Sequence, residues 1–372
     1  MSYVMSNEVD LVPANPLSTR AFLPNRSYER QRSMDVVFLG AGASKAMGYP
    51  LTSELLPRIV AKLQSAALFG RLTDAERKRS RLKKALDALA PGWVHNRLPT
   101  FVDLLSLLDY CIHQNVTIFP CGGHFELRSF RAVIEAALVE VSTSDRSDRL
   151  LADTFSARLK DHPSVAFITT NYDLACEVAL VSHLCQKTSS TDFGFEWRDP
   201  STGLLRVRPQ TPTHCLYKLH GSTNWLRCPS CEQVYINLYS DIAFLDSDSD
   251  VNEYGDATTC HCGYSPLRRM IVSPSVLRLH PDPQFRQISI AALHSLMNSD
   301  RWFIVGFSLP TEDVALRSIF LRAAAAPRSP EIRVYQDSEE ARPRYEALFS
   351  HCTYYTSGFA GFLSDWSPRE VA

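Results

Sequence analysis

The fold class that this sequence predicts is α/β: a Rossmann-like, doubly wound parallel sheet with an inserted helical module and a small zinc-binding module. Three observations carry that expectation. Short apolar runs without polar alternation recur along the chain, which is the pattern of strands buried on both faces. Segments of helical character separate them, as a sheet covered by helices on both faces requires. Between the later runs sit two closely spaced cysteine pairs with metal-ligand spacing.

Taken in chain order, residues 1–33 are polar, contain Pro13, Pro16 and Pro24, and show no sustained period. They read as an extended arm, either a frayed terminus or an oligomer contact. From residue 34 to 372 the chain reads as one large domain. Val36-Val37-Phe38-Leu39 ends at Gly40 and predicts a fully buried strand. Comparable strands are expected at Val165–Thr169, Leu216–Leu219, Arg269–Val272, Trp302–Val305 and Ile332–Tyr335. Between the first two lies a long helical stretch, about 51–160, which includes Phe101–Leu108 and Phe130–Val141. It is too long for one crossover, so it predicts an inserted helical module. The zinc module is expected at about 225–268, and no internal repeat is visible.

Composition bounds the function. The chain has 372 residues, 45% of them hydrophobic and 21% charged, the profile of a soluble globular protein. Lys and Arg number 39 against 40 Asp and Glu, a net charge of -1 that argues against general polyanion binding but leaves room for a local basic patch. No apolar run approaches the roughly 18 residues of a membrane span. The first twenty residues lack a basic start followed by an apolar stretch, so no secretory signal is read. Ten cysteines in a chain of this length, four of them clustered, fit a reducing cytoplasm. The basic run Arg77, Lys78, Arg79, Arg81, Lys83 and Lys84 is a solvated helix face or, alternatively, a contact for nucleic acid or an acidic partner. Asp246, Asp248, Asp250, Glu253 and Asp256 read as a solvated loop without the ligand register of a calcium site.

Chemistry concentrates where strands end. Gly40-Ala41-Gly42-Ala43-Ser44 follows the first strand and precedes a helix. Glycines there let backbone approach a phosphate, and the helix start offers N–H groups and a positive dipole end. Lys45 stands where the third glycine of a dinucleotide fingerprint would be, so a tight turn without a ligand is the competing reading. A second strand ends in Thr169-Thr170-Asn171-Tyr172-Asp173, in the crevice position where doubly wound sheets bind ligands; Asn171 and Asp173 fit a turn and helix cap as well. A third ends in Lys218-Leu219-His220-Gly221, and His220 is suited to accept a proton near neutral pH. Gly306-Phe307-Ser308 and Tyr335-Gln336-Asp337 end two further strands. Gly306 would admit a second phosphate or ribose and Asp337 would accept from ribose hydroxyls; a plain strand-to-helix turn accounts for each equally well.

Cys228, Cys231, Cys260 and Cys262 form the other constellation. Two thiolate pairs close a tetrahedral shell, so the zinc they predict is structural rather than catalytic; four unligated buried cysteines are the competing reading. His261 is a further candidate ligand. Cys111, Cys121, Cys176, Cys185, Cys215 and Cys352 show no such spacing and read as small apolar residues.

In their order along the chain, these motifs resemble the sirtuin superfamily. The glycine turn with Gly48 and Pro50 following, Thr170-Asn171-Tyr172-Asp173, His220-Gly221, the cysteine pairs and the Gly306/Ser308 turn all contribute, over roughly residues 35–337. The resemblance implies NAD bound between a Rossmann-like domain and a smaller zinc-and-helix module. It implies phosphate contacts at Ala41, Gly42 and Ser44, the nicotinamide end near Asn171 and Asp173, and His220 as general base. Protein deacylases of the family usually carry Asp-Phe-Arg after the proline; here Leu51-Thr52-Ser53 follows Pro50, and no glutamine precedes Asn171. That version is similar to the prokaryotic sirtuin-like branch whose members hydrolyse NAD in anti-phage defence. The expectation is therefore an NAD glycohydrolase held in check until a trigger releases it. It would act as a homo-oligomer or with a partner such as a HerA-type ATPase. An NAD-dependent deacylase and a non-catalytic NAD or ADP-ribose sensor or scaffold are the alternatives.

Overall fold

Asp35-Val36-Val37-Phe38-Leu39 is buried along its whole length and forms strand β1 (Asp35–Leu39). The computed structural model describes residues 34–70, 74–118, 124–142, 150–162, 164–184, 191–200, 202–237, 259–264, 267–272, 283–311 and 313–368. The arm at 1–33, the acidic stretch from Asp246 to Asp256, Cys121 and Cys185 lie outside them.

The strands that follow are β2 (Val165–Thr169), β3 (Thr191–Asp192), β4 (Trp197–Arg198), β5 (Leu205–Arg206), β6 (His214–Lys218), β7 (Gly221–Arg227) and β8 (Val234–Ile236). After them come β9 (Arg268–Ile271), β10 (Arg301–Val305), β11 (Glu331–Tyr335) and β12 (Thr353–Tyr355). Seven strands make one sheet in the order β12-β11-β10-β1-β2-β6-β3, with every pairing parallel. From β1 the chain passes to β2, on to the edge strand β3 and back to β6 between them, then crosses to β10 on the other side of β1 and winds outward through β11 and β12. The reversal between β1 and β10 is the topological switch point, where a doubly wound sheet opens a crevice.

The helices are α1 (Ala41–Ala46), α2 (Thr52–Gln64), α3 (Ala75–Leu89), α4 (Phe101–Gln114), α5 (His124–Val141) and α6 (Leu150–Arg158). They continue with α7 (Ala175–Leu184), α8 (Pro283–Met297), α9 (Val314–Ala324), α10 (Arg342–Leu348) and α11 (Gly358–Asp365). Helix α6 adjoins both α7 and α11, whereas α8 packs on β6 and against α9. Right-handed crossovers on the two sides of β1 lie on opposite faces, which accounts for α6 and α7 standing apart from α9; α11 follows the last strand and closes against α6. The sheet's apolar side chains fill the core between them. Phe38, for example, is 1% exposed, with its ring centroid 4.8 Å from that of Phe307 and 5.3 Å from that of Phe320. Truncating such a side chain to Ala costs about 3–5 kcal/mol.

Helices α2 to α5 share a separate core that includes Leu56, Ile59, Leu86, Phe101, Leu105, Phe130 and Ile134. The 3.6-residue spacing of these apolar positions gives each helix one buried face. Phe155 of α6 belongs instead to the core of the main sheet.

The run Arg269–Val272 differs from its expected place. Its strand, β9, is not in the parallel sheet but pairs antiparallel with β7 in a second sheet, ordered β5-β4-β8-β7-β9. A short continuous apolar run reports burial, not the direction of its neighbour, so the sequence pattern could not separate the two cases. The basic run lies on α3, where Arg77 and Lys78 pair with Asp74 at 2.7 and 3.6 Å and Arg79 donates to the Leu68 carbonyl at 2.9 Å. Cys111, Cys176 and Cys215 are buried as small apolar residues, and Cys352 is half-buried. Among the described residues no helix is long and apolar enough to cross a membrane.

Candidate functional site

Strand register places the candidate residues. Leu39 of β1 pairs with Val305 of β10 and with Thr169 of β2, and Thr169 pairs with Lys218 of β6. The residues just beyond these positions, Gly40, Gly306, Thr170 and Leu219, therefore leave the sheet along one edge. Asn171 and His220 each stand two residues past the Thr169/Lys218 pair. Parallel in-register strands bring both segments out at the same edge although nothing local in the sequence links them.

At the switch point two backbones touch. The Gly40 amide donates to the Val305 carbonyl at 2.9 Å and the Gly42 amide to the Gly306 carbonyl at 2.8 Å. Gly306 has φ +61, and a Cβ there would lie 2.1 Å from the Ala43 nitrogen, a distance no packing tolerates. These glycines are thus required by the chain's own crossing, whatever ligand sits above. The Ala43 amide donates to the Gly40 carbonyl at 3.1 Å, and α1 is only six residues long. The loop accordingly has fewer amides and a shorter dipole to offer an anion than its sequence implies.

Ser44 and Asn171 are brought together directly. The Asn171 side-chain amide donates to Ser44 Oγ at 2.7 Å, joining the glycine turn to the end of β2. The turn at Asn171 is fixed by Thr169, whose Oγ1 accepts from the Asn171 backbone amide at 3.0 Å and donates to the Leu39 carbonyl at 2.7 Å. Asp173 Oδ1 accepts the Ala175 amide at 3.0 Å, so this carboxylate serves the start of α7. Its carbonyl accepts from Lys218 Nζ.

Lys218 was not among the expected site residues, yet it ties the site together. It is 1% exposed and pairs at 2.8 Å with Glu177, which is 3% exposed; the same carboxylate oxygen accepts from Ser222 Oγ at 3.1 Å. A lysine inside the apolar run Cys215-Leu216-Tyr217-Lys218-Leu219 was the available signal, because a buried ammonium demands an anionic partner. The partner itself could not be read from spacing.

His220 is buried in the turn between β6 and β7, 3% exposed. Its carbonyl accepts the Val272 amide at 2.9 Å, and its ring centroid lies 6.3 Å from that of Tyr172. Nε2 stands 3.6 Å from Oδ2 of Asp313, a residue that no sequence signal singled out. Behind Tyr172 the helical module reaches the same place. Arg131 of α5 contacts Asp109 at 2.7 Å and Glu135 at 2.8 Å and donates to the Ile271 carbonyl at 3.2 Å, while Tyr172 donates to the Val272 carbonyl at 2.7 Å. Burial pushes the Glu135 carboxyl up, against the pull of Arg131.

The other candidates are less enclosed. Ser308 is exposed, between buried Phe307 and Leu309, and its carbonyl accepts from Arg344 at 2.8 Å. Asp337 is exposed at the end of β11, beside Gly358, while its neighbour Gln336 is buried and donates to the Phe307 carbonyl at 2.6 Å. Leu51, Thr52 and Ser53 begin α2, where Glu54 accepts the Leu51 amide at 3.1 Å and pairs with Lys45 at 2.6 Å; the Lys45 hydrogen bond holds the Glu54 carboxyl low.

Cys228, Cys231, Cys260 and Cys262 converge so that all four Sγ atoms lie within 4.8 Å of one another, with Cys228–Cys262 at 3.7 Å and Cys231–Cys260 at 3.4 Å. Four thiolates around zinc at about 2.3 Å stand roughly 3.8 Å apart, so this donor set fits a tetrahedral ion. Burial alone would raise the Cys260 thiol, but hydrogen bonds from the Cys262 amide and the Tyr235 hydroxyl outweigh it and bring it to about 6. His261 Nδ1 lies 3.2 Å from the Tyr235 hydroxyl and 3.3 Å from Cys260 Sγ, bracing the cluster from outside.

No family model and no curated protein matches this chain. Solved structures do. Sir2Tm bound to a propionylated peptide is 14% identical, covering 90% of this chain and 92% of that one, with a TM-score of 0.39. A Sir2–p53 peptide–NAD+ complex is 14% identical over 89% and 90%, with a TM-score of 0.35. A Sir2 homologue mutant in complex with ADP-ribose is 15% identical over 90% of each chain, with a TM-score of 0.40. Scores this low give no residue correspondence, so the site rests on the geometry of the strand ends.

Proposed function

We propose that the strand-end crevice cleaves NAD to nicotinamide and ADP-ribose, in a regulated effector of the prokaryotic anti-phage kind. The observation that supports the reading is the hydrogen bond that joins the Gly40–Ser44 turn to Asn171, with His220 following the strand next to the one that Asn171 follows. Their order along the chain, which resembles the sirtuin superfamily, supplies the substrate.

In this reading Gly40, Ala41, Gly42, Ala43, Ser44 and Thr170 line the pyrophosphate side. Gly306 and Ser308 flank the adenosine half, with Asp337 toward its ribose hydroxyls. Cleavage breaks the bond between C1′ and the pyridinium nitrogen, and its electron pair neutralises the departing ring. The leaving group needs little acid help; the chain's task is to orient the ribose and hold a water on the opposite face. Asn171 positions that water or the carboxamide, Asp173 holds the turn that carries Asn171, and His220 takes the water's proton as oxygen bonds to C1′. Zinc, held by Cys228, Cys231, Cys260 and Cys262, would fix the second sheet and take no part in bond breaking. The covered state of His220 supports a restrained resting form that a trigger, a homo-oligomer or a HerA-type partner opens.

The test incubates the purified chain with NAD alone, with an acetyl-lysine peptide, and with proteins encoded beside it, separating products by chromatography. Nicotinamide release without peptide, lost in Asn171→Ala and His220→Ala proteins that remain folded, is the expected result. Release that depends strictly on the peptide would make the protein a deacylase. NAD binding without turnover under every condition would make it a sensor.

A further inference from the structure

We propose that Arg131 is a positioning residue for the strand-end site. From the helical module it holds the end of β9, and the turns that carry Asn171 and His220 both rest on that end. The inference rests on the reading of Asn171 and His220 as the groups that act on NAD, and it names what aligns them.

Among the described residues β9 is the last strand of the second sheet, with β7 beside it. A strand in that position has a side without a sheet partner, and buried backbone groups along it need donors from elsewhere. At the end of β9 the donors are side chains. Arg131 donates to the Ile271 carbonyl at 3.2 Å and Tyr172 to the Val272 carbonyl at 2.7 Å. Ile271 and Tyr172 also belong to the apolar core that α2 to α5 share, so packing as well as hydrogen bonding ties the helical module to this spot.

Both candidate turns lean on this strand end. The Val272 amide donates to the His220 carbonyl at 2.9 Å. Gly221, directly after His220, pairs with Ile271, has φ +82 and comes so close to Met270 that a Cβ would lie 1.9 Å from its carbonyl oxygen. Tyr172, directly after Asn171, donates to Val272, and its own carbonyl accepts the Thr223 amide at 3.0 Å. Residues 270–272 are thus a common floor for two turns that follow different strands of the main sheet, β2 and β6. A shift of that floor moves Asn171 and His220 together, and a displacement of about 1 Å at the reacting groups costs on the order of 10²-fold in rate.

The arginine is itself held. Nε donates to Asp109 of α4 at 2.7 Å, and Nη1 lies 2.8 Å from Glu135, one turn along α5. The third nitrogen, Nη2, is the one that reaches Ile271. A planar guanidinium presents its donors in a fixed fork, so the two carboxylates aim the remaining donor at the carbonyl. An ammonium is a point charge and cannot meet three partners spread around such a fork. Arg131→Lys therefore keeps a cation beside Asp109 and Glu135 and loosens the grip on Ile271. The double variant Arg131→Gln/Glu135→Gln takes away the guanidinium and one carboxylate partner together.

The experiment has two arms on the full chain. Nicotinamide release is measured for wild type, both Arg131 variants, Asn171→Ala and His220→Ala under the conditions that give wild-type turnover. Amide hydrogen exchange without NAD reads the brace itself, at Val272 for the His220 turn and at Thr223 for the Asn171 turn, with β1 and β2 as internal reference. Expected in both Arg131 variants is a fall in kcat of ~10–10²-fold with KM changed less than about threefold. Exchange at Val272 and Thr223 should rise about tenfold or more while β1 and β2 stay as in wild type. Exchange at the wild-type rate in both variants overturns this proposal alone. So does an unchanged kcat in both while Asn171→Ala and His220→Ala are inactive. Exchange that rises equally throughout the sheet makes Arg131 a general stabiliser and overturns the proposal as well. Fully active Asn171→Ala and His220→Ala proteins, or no turnover by wild type under any condition, overturn the reading of the site, and this proposal with it.

Discussion

Lys218 gives the sharpest test of what holds the candidate site in shape. Its ammonium is buried against Glu177 at 2.8 Å and also reaches the Asp173 carbonyl, so one side chain joins β6, α7 and the turn that carries Asn171. Lys218→Met removes the cation and leaves Glu177, 3% exposed, with Ser222 as its remaining partner on Oε1. An uncompensated buried charge of this kind costs about 3–5 kcal/mol. Unfolding entropy near 2.1 cal/mol/K per residue converts that to a fall in Tm of roughly 4–6 °C for a chain of this length. The double variant Lys218→Met/Glu177→Leu replaces the pair with apolar groups and should come back to within about 1–2 kcal/mol of wild type. Its turn at Asp173 nevertheless stays untied, so NAD turnover should remain depressed when stability has recovered. Urea unfolding of the three proteins with a nicotinamide-release assay measures both effects. A single variant that loses less than about 1 kcal/mol, or a double variant no more stable than the single, would refute the claim that this pair is buried and dry.

Two further outcomes follow from the same structure. Purified protein should contain one zinc per chain by elemental analysis. Strong chelation or Cys231→Ser should remove it and lower stability by an amount on the order of several kcal/mol, and unchanged melting after metal removal would contradict a structural role. Burial holds the His162 imidazole below its usual range, although Asp35 lies 3.9 Å away, and the ring stacks on Trp366 at 3.8 Å. Below about pH 6.5 the unfolded chain takes up a proton that the folded chain refuses, so stability is complete above that pH and declines as pH falls through the lower folded value. Replacing His162 by Gln should therefore shrink the loss of Tm between pH 7.5 and 5.5, and an identical loss in both proteins would show that another group governs the acid limb.

The sequence by itself determined the apolar runs that become the central strands and the turns that follow them, but not the strands β3, β4, β5, β7, β8 and β12. Apolar runs such as Val36–Leu39 and Trp302–Val305 could satisfy their burial only inside a covered sheet, and the glycine, asparagine and histidine turns after them are local facts of composition. The four cysteines were legible for the same reason, since two short spacings predispose each pair to one ion. Tertiary structure decided which strand lies beside which, and that choice was not local. Arg269–Val272 has the apolar run of a parallel strand but joins an antiparallel sheet, because its register with β7 was available and a place beside β1 was not. Lys218 with Glu177 and His220 with Asp313 are pairs of charged or titratable groups from distant segments, brought into contact only when strands and helices pack. Periodicity along a chain records how each residue meets solvent; it carries no record of which partner will stand opposite once solvent is gone.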